Sequence, residues 1–233
     1  RQEGGEFDEV LAMSFYPQEA EPLWSQYSTH SVVHTLEVYS RVSFPYPYPT
    51  AQSVNAWKGG GMEYPMITFN GRRPEPFEAD EVDPDADSKP ERTYSRSAKH
   101  GLVGVIILEL GHIYFPMTGS TDERQWTWMD VGIISFLQYL AELEREENFH
   151  THRENYSILE QVAEYMTSTN QVPIMTQSDS VLNLGPNGYT KPAASLVVLR
   201  ETVLGRELFD FAFREYSRRW MFKRPTPSDF FRT

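Results

Sequence analysis

Glu109 and His112 stand three residues apart in the stretch Leu108-Glu109-Leu110-Gly111-His112. The surrounding segment, 98–115, is apolar nearly all round, with Leu102, Val103, Val105, Ile106, Ile107, Leu108, Leu110, Ile113, Tyr114 and Phe115. A helix of that kind is buried on most sides. A carboxylate carried into such surroundings is desolvated, its pKa rises, and it becomes a general base able to take a proton from a carbon acid. His112 is then its orienting partner or the base itself. The chain has no Cys, which removes a thiol nucleophile, a thiolate zinc knuckle and a disulfide framework together. Any metal must rest on His, Asp or Glu.

The elements that must position these groups change character along the chain. The first third is rich in aromatic residues, Pro and β-branched residues, and the runs Val10–Phe15 and Pro65–Phe69 read as strands. Between them, 22–42 reads as one amphipathic helix that stops before the extended Pro-Tyr-Pro-Tyr-Pro stretch at 45–49. Helices are expected at 98–115, 126–147 and 154–166, and over Lys191–Phe222 as two helices punctuated by Gly205. Strands first and helices afterwards predict an α+β architecture, with a sheet-containing subdomain over 1–96 and a helical subdomain over 97–233.

The remaining candidates have plainer readings. Asp83-x-Asp85-x-Asp87 has the opening spacing of a calcium loop, but Ser88 stands where Gly is needed and Tyr94 where a carboxylate is needed. A solvated acidic loop is the expectation there. His150 and His152 are expected to be solvated, His30, His34 and His100 take no assigned role, and Trp126-x-Trp128 is read as core packing.

The 233 residues carry 21 Lys and Arg against 33 Asp and Glu, a net charge of −12. That balance argues against phosphate contacts and so against a nucleic-acid partner. The apolar run Leu102–Leu108 is far shorter than the ~20 residues of a membrane helix, and Glu109 and His112 follow it, so a soluble protein is expected. The beginning Arg1-Gln2-Glu3-Gly4-Gly5 reads as that of an excised piece. Compartment and oligomeric state are left open.

Four segments, in order, carry a family resemblance: Gly59-Gly60-Gly61-Met62-Glu63-Tyr64-Pro65, Leu108–His112, Asp122–Gly132 and Tyr189-Thr190-Lys191-Pro192. Together they resemble the M1 family of zinc aminopeptidases, the gluzincins, and most closely its bacterial members, over roughly residues 10–233. The resemblance implies a thermolysin-like catalytic domain with a cleft between its sheet and helical subdomains. It also implies a zinc site of the form H-E-x-x-H, eighteen residues, then Glu. Here the first His position is Leu108, the base is Glu109, the second His is His112, and the final Glu position is Val131. Three protein ligands are the norm for catalytic zinc, and two of these positions have no donor. Asp130, about 100° around a helix from Val131, is not expected to substitute.

The resemblance further implies that Glu63 binds the α-amine of a peptide, with Met62 beside it, and that Tyr189 stabilises an oxyanion. Leu108, Ile113, Val131 and Ile134 are expected to make the former metal cavity apolar. No cofactor is expected, zinc having been lost, and the expected ligand is a small molecule or short peptide in the cleft. Concentration of the changes at the cavity, with Asp122–Asp130 intact, points to deliberate repurposing. Glu109 is then the base for a Kemp-elimination type of proton abstraction, assisted by His112 and Tyr189. A catalytically dead binding scaffold and a residual zinc aminopeptidase are the alternatives.

Overall fold

The computed structural model describes residues 9–56, 59–74, 94–145 and 157–233. The acidic Asp83–Asp87 stretch, His150 and His152 lie outside the described residues.

Four short strands form one mixed sheet. Strand β1 (Leu11–Phe15) is parallel to β2 (Thr50–Asn55), β2 is parallel to β4 (Ile67–Asn70), and β3 (Gly61–Tyr64) closes one edge antiparallel to β4. Helix α1 (Leu23–Val42) supplies the crossover that a parallel β1–β2 pair requires. It buries Trp24, Val32, Leu36 and Tyr39. The pairing of Gly61 with Asn70 through Tyr64 with Ile67 leaves a turn at Pro65-Met66, so the strand expected over Pro65–Phe69 begins two residues later. Pro65 cannot donate a ladder hydrogen bond, which fits its place in the turn.

Helix α2 (Arg96–His112) is capped by Ser95, whose hydroxyl accepts from Ala98 N–H at 3.1 Å. The chain continues from it in a π-helical turn over Ile113–Thr118 with a break at Phe115 (φ −138°, ψ 121°). The following Pro116 forces that residue out of helical geometry. The whole stretch Arg96–Thr118 is long and apolar enough to cross a membrane by length and composition, contrary to the shorter run expected from Leu102–Leu108. Within the protein 78% of its apolar window is buried, as in a central core helix.

Helix α3 (Val131–Arg145) begins five residues later than the periodicity suggests, because Thr127–Met129 forms a separate single turn. Helices α4 (Ile158–Met166), α5 (Lys191–Val198), α6 (Arg206–Arg219) and α7 (Pro227–Phe231) complete the fold. Gly205, with φ +79°, makes the break before α6. One apolar core joins both halves of the chain: Leu36 and Tyr39 of α1 with Ile106, Ile107 and Leu110 of α2 and Ile133, Phe136 and Leu137 of α3. Trp128 belongs to it and packs on Phe230 and Phe231, ring centroids 5.4 and 5.8 Å away. His100 is only 3% exposed, and His34 Nε2 donates to the Ala141 carbonyl at 2.8 Å.

Candidate functional site

Three elements meet at a cluster of ionisable side chains. Helix α2 supplies Glu109 and His112, three residues apart and therefore on one side of the helix. The edge strand β3 supplies Glu63. The carboxylates of Glu63 and Glu109 and the imidazole of His112 lie within 4.8 Å of one another, close enough for these three to hold a metal ion. Gly61 lets the strand come this near: a Cβ there would collide with the Glu109 carboxylate.

Asp130 adds a fourth group. Its Oδ1 lies 2.9 Å from His112 Nδ1, with both side chains less than a tenth exposed. This corrects the expectation that Asp130 points away. Asp130 precedes the first residue of α3 and has φ −101° and ψ −91°, so the 100° step between helical residues does not apply to it. Its carboxylate turns toward α2 instead.

The electrostatics follow from burial and crowding. Burial, then the hydrogen bond with Glu63, push the Glu109 carboxyl up to about 8; His112 pulls it back in part, and the charges of Glu63 and Asp130 add to the rise. Glu109 therefore keeps its proton at neutral pH and yields it only in mildly alkaline solution. Burial works against a charged His112, but the hydrogen bond and charge of Asp130, with Glu63 and Glu109, hold its imidazole above the ordinary value. Tyr189, in the π-helical turn Gly185–Thr190 ahead of α5, is raised by burial and then by the charges of Asp130, Glu109 and Glu63. It therefore stays a neutral phenol able to donate. The set can take a proton, give one, and donate to a developing anion.

The apolar members are placed unequally. Val131 is 7% exposed, and a Cβ on Gly188, the residue before Tyr189, would stand 3.5 Å from Val131 Cγ2. Leu108 is partly buried against the core. Ile113 and Ile134 are wholly buried core residues, and Ile134 packs at the α2–α3 crossing, where a Cβ on Gly111 would meet it and Tyr39 at 3.2 Å. Met62 alternates with Gly61 and Glu63 along β3 and so takes the opposite face of the sheet, paired with Phe69. The structure thus brings Glu63, Glu109 and His112 together, with Tyr189 within reach of their field, and does not bring Met62 to them.

Two residues escaped the sequence reading. Asp130 had a usable signal, a short acid directly before a helix start. Glu123 had none: its carboxyl, on an exposed loop, forms a hydrogen bond with Asp130, and that bond, followed by burial, raises it.

No family model and no curated relative matches the chain. Solved structures do. The M1 zinc metallopeptidase from Deinococcus radiodurans superposes with a TM-score of 0.65 at 13% identity, over 96% of this chain and 44% of that one. Yeast LTA4 hydrolase superposes with a TM-score of 0.59 at 16% identity, over 91% and 33%. An E323A mutant of the Deinococcus enzyme bound to a Tyr-Ser-Ala substrate gives 0.57 at 13% identity, over 85% and 38%. At these identities the likeness is one of fold: the chain has a fold like that of M1 peptidase catalytic domains and spans less than half the length of these structures.

Proposed function

We propose that this M1-like domain is a metal-independent proton-transfer catalyst acting on a small carbon acid, with Glu109 as its base. One observation carries the reading: a buried Glu109 carboxyl lies against the Glu63 carboxyl, beside an imidazole held at 2.9 Å by Asp130. A buried acid raised by its surroundings and set beside a histidine is the arrangement general acid–base chemistry needs. The family's zinc triad does not fit this chain, since Leu108 and Val131 offer no donor atom and Val131 sits against Gly188.

The expected reaction is of the Kemp-elimination type. The Glu109 carboxylate takes the C–H proton of a benzisoxazole, the C–H electron pair forms the nitrile, and the N–O bond breaks to a phenolate. Tyr189 donates to that oxygen. The occupant of the cleft is a small apolar molecule, or a short peptide of the kind bound by the Deinococcus mutant. Because Glu109 loses its proton near pH 8, the rate should climb toward a plateau above that pH. A pH–rate profile on 5-nitrobenzisoxazole checks this. Glu109→Gln should abolish the enzyme's rate above background, and unchanged turnover in that variant ends the reading.

A second reading has its own observation: Glu63, Glu109 and His112 are placed to hold a divalent ion, although two of them are not the family's ligands. It predicts zinc-dependent hydrolysis of alanyl or leucyl arylamides. Assays with and without added zinc separate the two readings.

A further inference from the structure

We infer that Gly132 is a positioning residue for Tyr189: its missing side chain sets the distance between the start of α3 and the turn that carries the phenol. The two sides of the site reach it along separate pieces of chain. Asp130, beside His112, stands directly ahead of α3, whereas Tyr189 arrives in the turn Gly185–Thr190 ahead of α5. These pieces meet at Gly132, in the first turn of α3. A Cβ on Gly132 would stand 2.7 Å from Pro192 Cγ, 2.8 Å from Pro192 Cβ and 3.2 Å from the Gly188 carbonyl oxygen. Gly188 directly precedes Tyr189 and Pro192 follows it by three residues, so the contact brackets the phenol on both sides. The joint is equally tight from the other direction, where a Cβ on Gly188 would meet Leu184 Cδ1 at 3.1 Å and Thr127 Cγ2 at 3.2 Å.

A side chain at position 132 has no easy relief. The ring of Pro192 is closed onto its own backbone and cannot swing aside as a flexible side chain would. On the α3 side, Val131, Ile133 and Ile134 are buried, the last two completely. Carbon atoms pack best at about 3.5–4.0 Å, so the turn would have to retreat by about 1 Å. Its orientation is fixed separately. Val172 N–H and Tyr165 O–H donate to Asn187 Oδ1 at 3.3 and 3.4 Å, and Lys191 Nζ donates to the Val172 carbonyl at 2.6 Å. The spacing is therefore what Gly132 controls, and a displacement of about 1 Å is enough to take a donor off its acceptor.

The purpose of this spacing rests on the proton-transfer reading, in which Tyr189 donates to the leaving phenolate, while the spacing itself is measurable without turnover. Crystal structures of the full chain should show Tyr189 Cα about 1 Å farther from Asp130 Cα in Gly132→Ala, and back in place in Gly132→Ala/Pro192→Gly, which removes the ring. On unsubstituted benzisoxazole, whose phenolate is the more basic and needs the donor more, kcat/KM should fall at least about tenfold in Gly132→Ala, as for one lost charge-assisted hydrogen bond. On 5-nitrobenzisoxazole it should change little. Tyr189→Phe should reproduce that selectivity, Gly132→Ala should add nothing to it, and the double variant with Pro192→Gly should restore the wild-type ratio. Equal losses on both substrates, or an unmoved Tyr189, overturn the inference. If Gly132→Ala does not fold, the Pro192→Gly double variant decides: wild-type folding supports the contact and renewed failure overturns it. If Tyr189 moves and returns as stated but the wild-type chain turns over neither substrate, the proton-transfer reading fails and the spacing role of Gly132 stands.

Discussion

Helix α2 faces two different worlds within one turn. At Gly111 it meets Ile134 and Tyr39 in dry, close contact, with Ile107 and Leu110 alongside. At Glu109 and His112, one to two residues away, it meets two further acids, Glu63 and Asp130, while its own two side chains stay buried. The apolar side is stabilised by contact alone, and every atom removed from it costs stability. The polar side crowds Glu63, Glu109, His112 and Asp130 together, leaves Glu109 Oε2, His112 Nδ1 and Asp130 Oδ1 buried without a hydrogen-bond partner among the described residues, and its raised acid works against the fold once it ionises. A helix that is buried all round can thus carry a strained polar site because its other face is so well packed.

The comparison can be broken most forcefully from the apolar side. Leu137→Ala, in a fully buried position of α3, should destabilise the protein by about 3 kcal/mol in urea unfolding, the usual cavity cost. A loss below about 1 kcal/mol would show that the core is looser than its burial indicates.

The polar side makes the next largest prediction. Glu109 has an ordinary value of 4.5 and a folded value of about 8, so the folded state binds an extra proton between those limits. Stability should therefore be fullest below pH 4.5 as far as this group is concerned, and should fall by on the order of a few kcal/mol as pH rises through 8. His112, also raised, adds to the same fall above its ordinary 6.5. Glu109→Gln should flatten the decline between pH 5 and 9, and an equally steep decline in that variant would remove Glu109 as its source.

A smaller effect is expected away from both faces. Ser157 and Glu160 form a reciprocal cap on α4, with contacts of 3.2 and 2.7 Å, and Ser157→Ala should cost about 1 kcal/mol. Smallest of all, Glu144→Ala removes an exposed ion pair with Arg41, both side chains near half exposed, and should change the unfolding midpoint scarcely at all. A large effect there would mean that surface charge, not the α2 interfaces, governs stability.

Much of this arrangement was readable from residue order. Helix α2 could be read because its apolar residues leave no polar face, and the β1 and β4 runs because short apolar stretches lie between turn formers. The α3 start was misjudged because Trp126–Met129 has helical periodicity but folds into a separate turn. Glu109 and His112 were visible through their setting. The Asp130 contact was not, since a residue outside a helix is not governed by helical angles. Glu123 and Gly61 were invisible as partners because their contacts join segments far apart in the chain, which spacing does not report.

Gly61 has no side chain to do chemistry with, yet it sets how near strand and helix can come at Glu109. In a library of all single substitutions scored for a working site, position 61 should therefore be as intolerant as Glu109 itself. A map of mutational tolerance would mark this glycine as functional, when what it contributes is empty space.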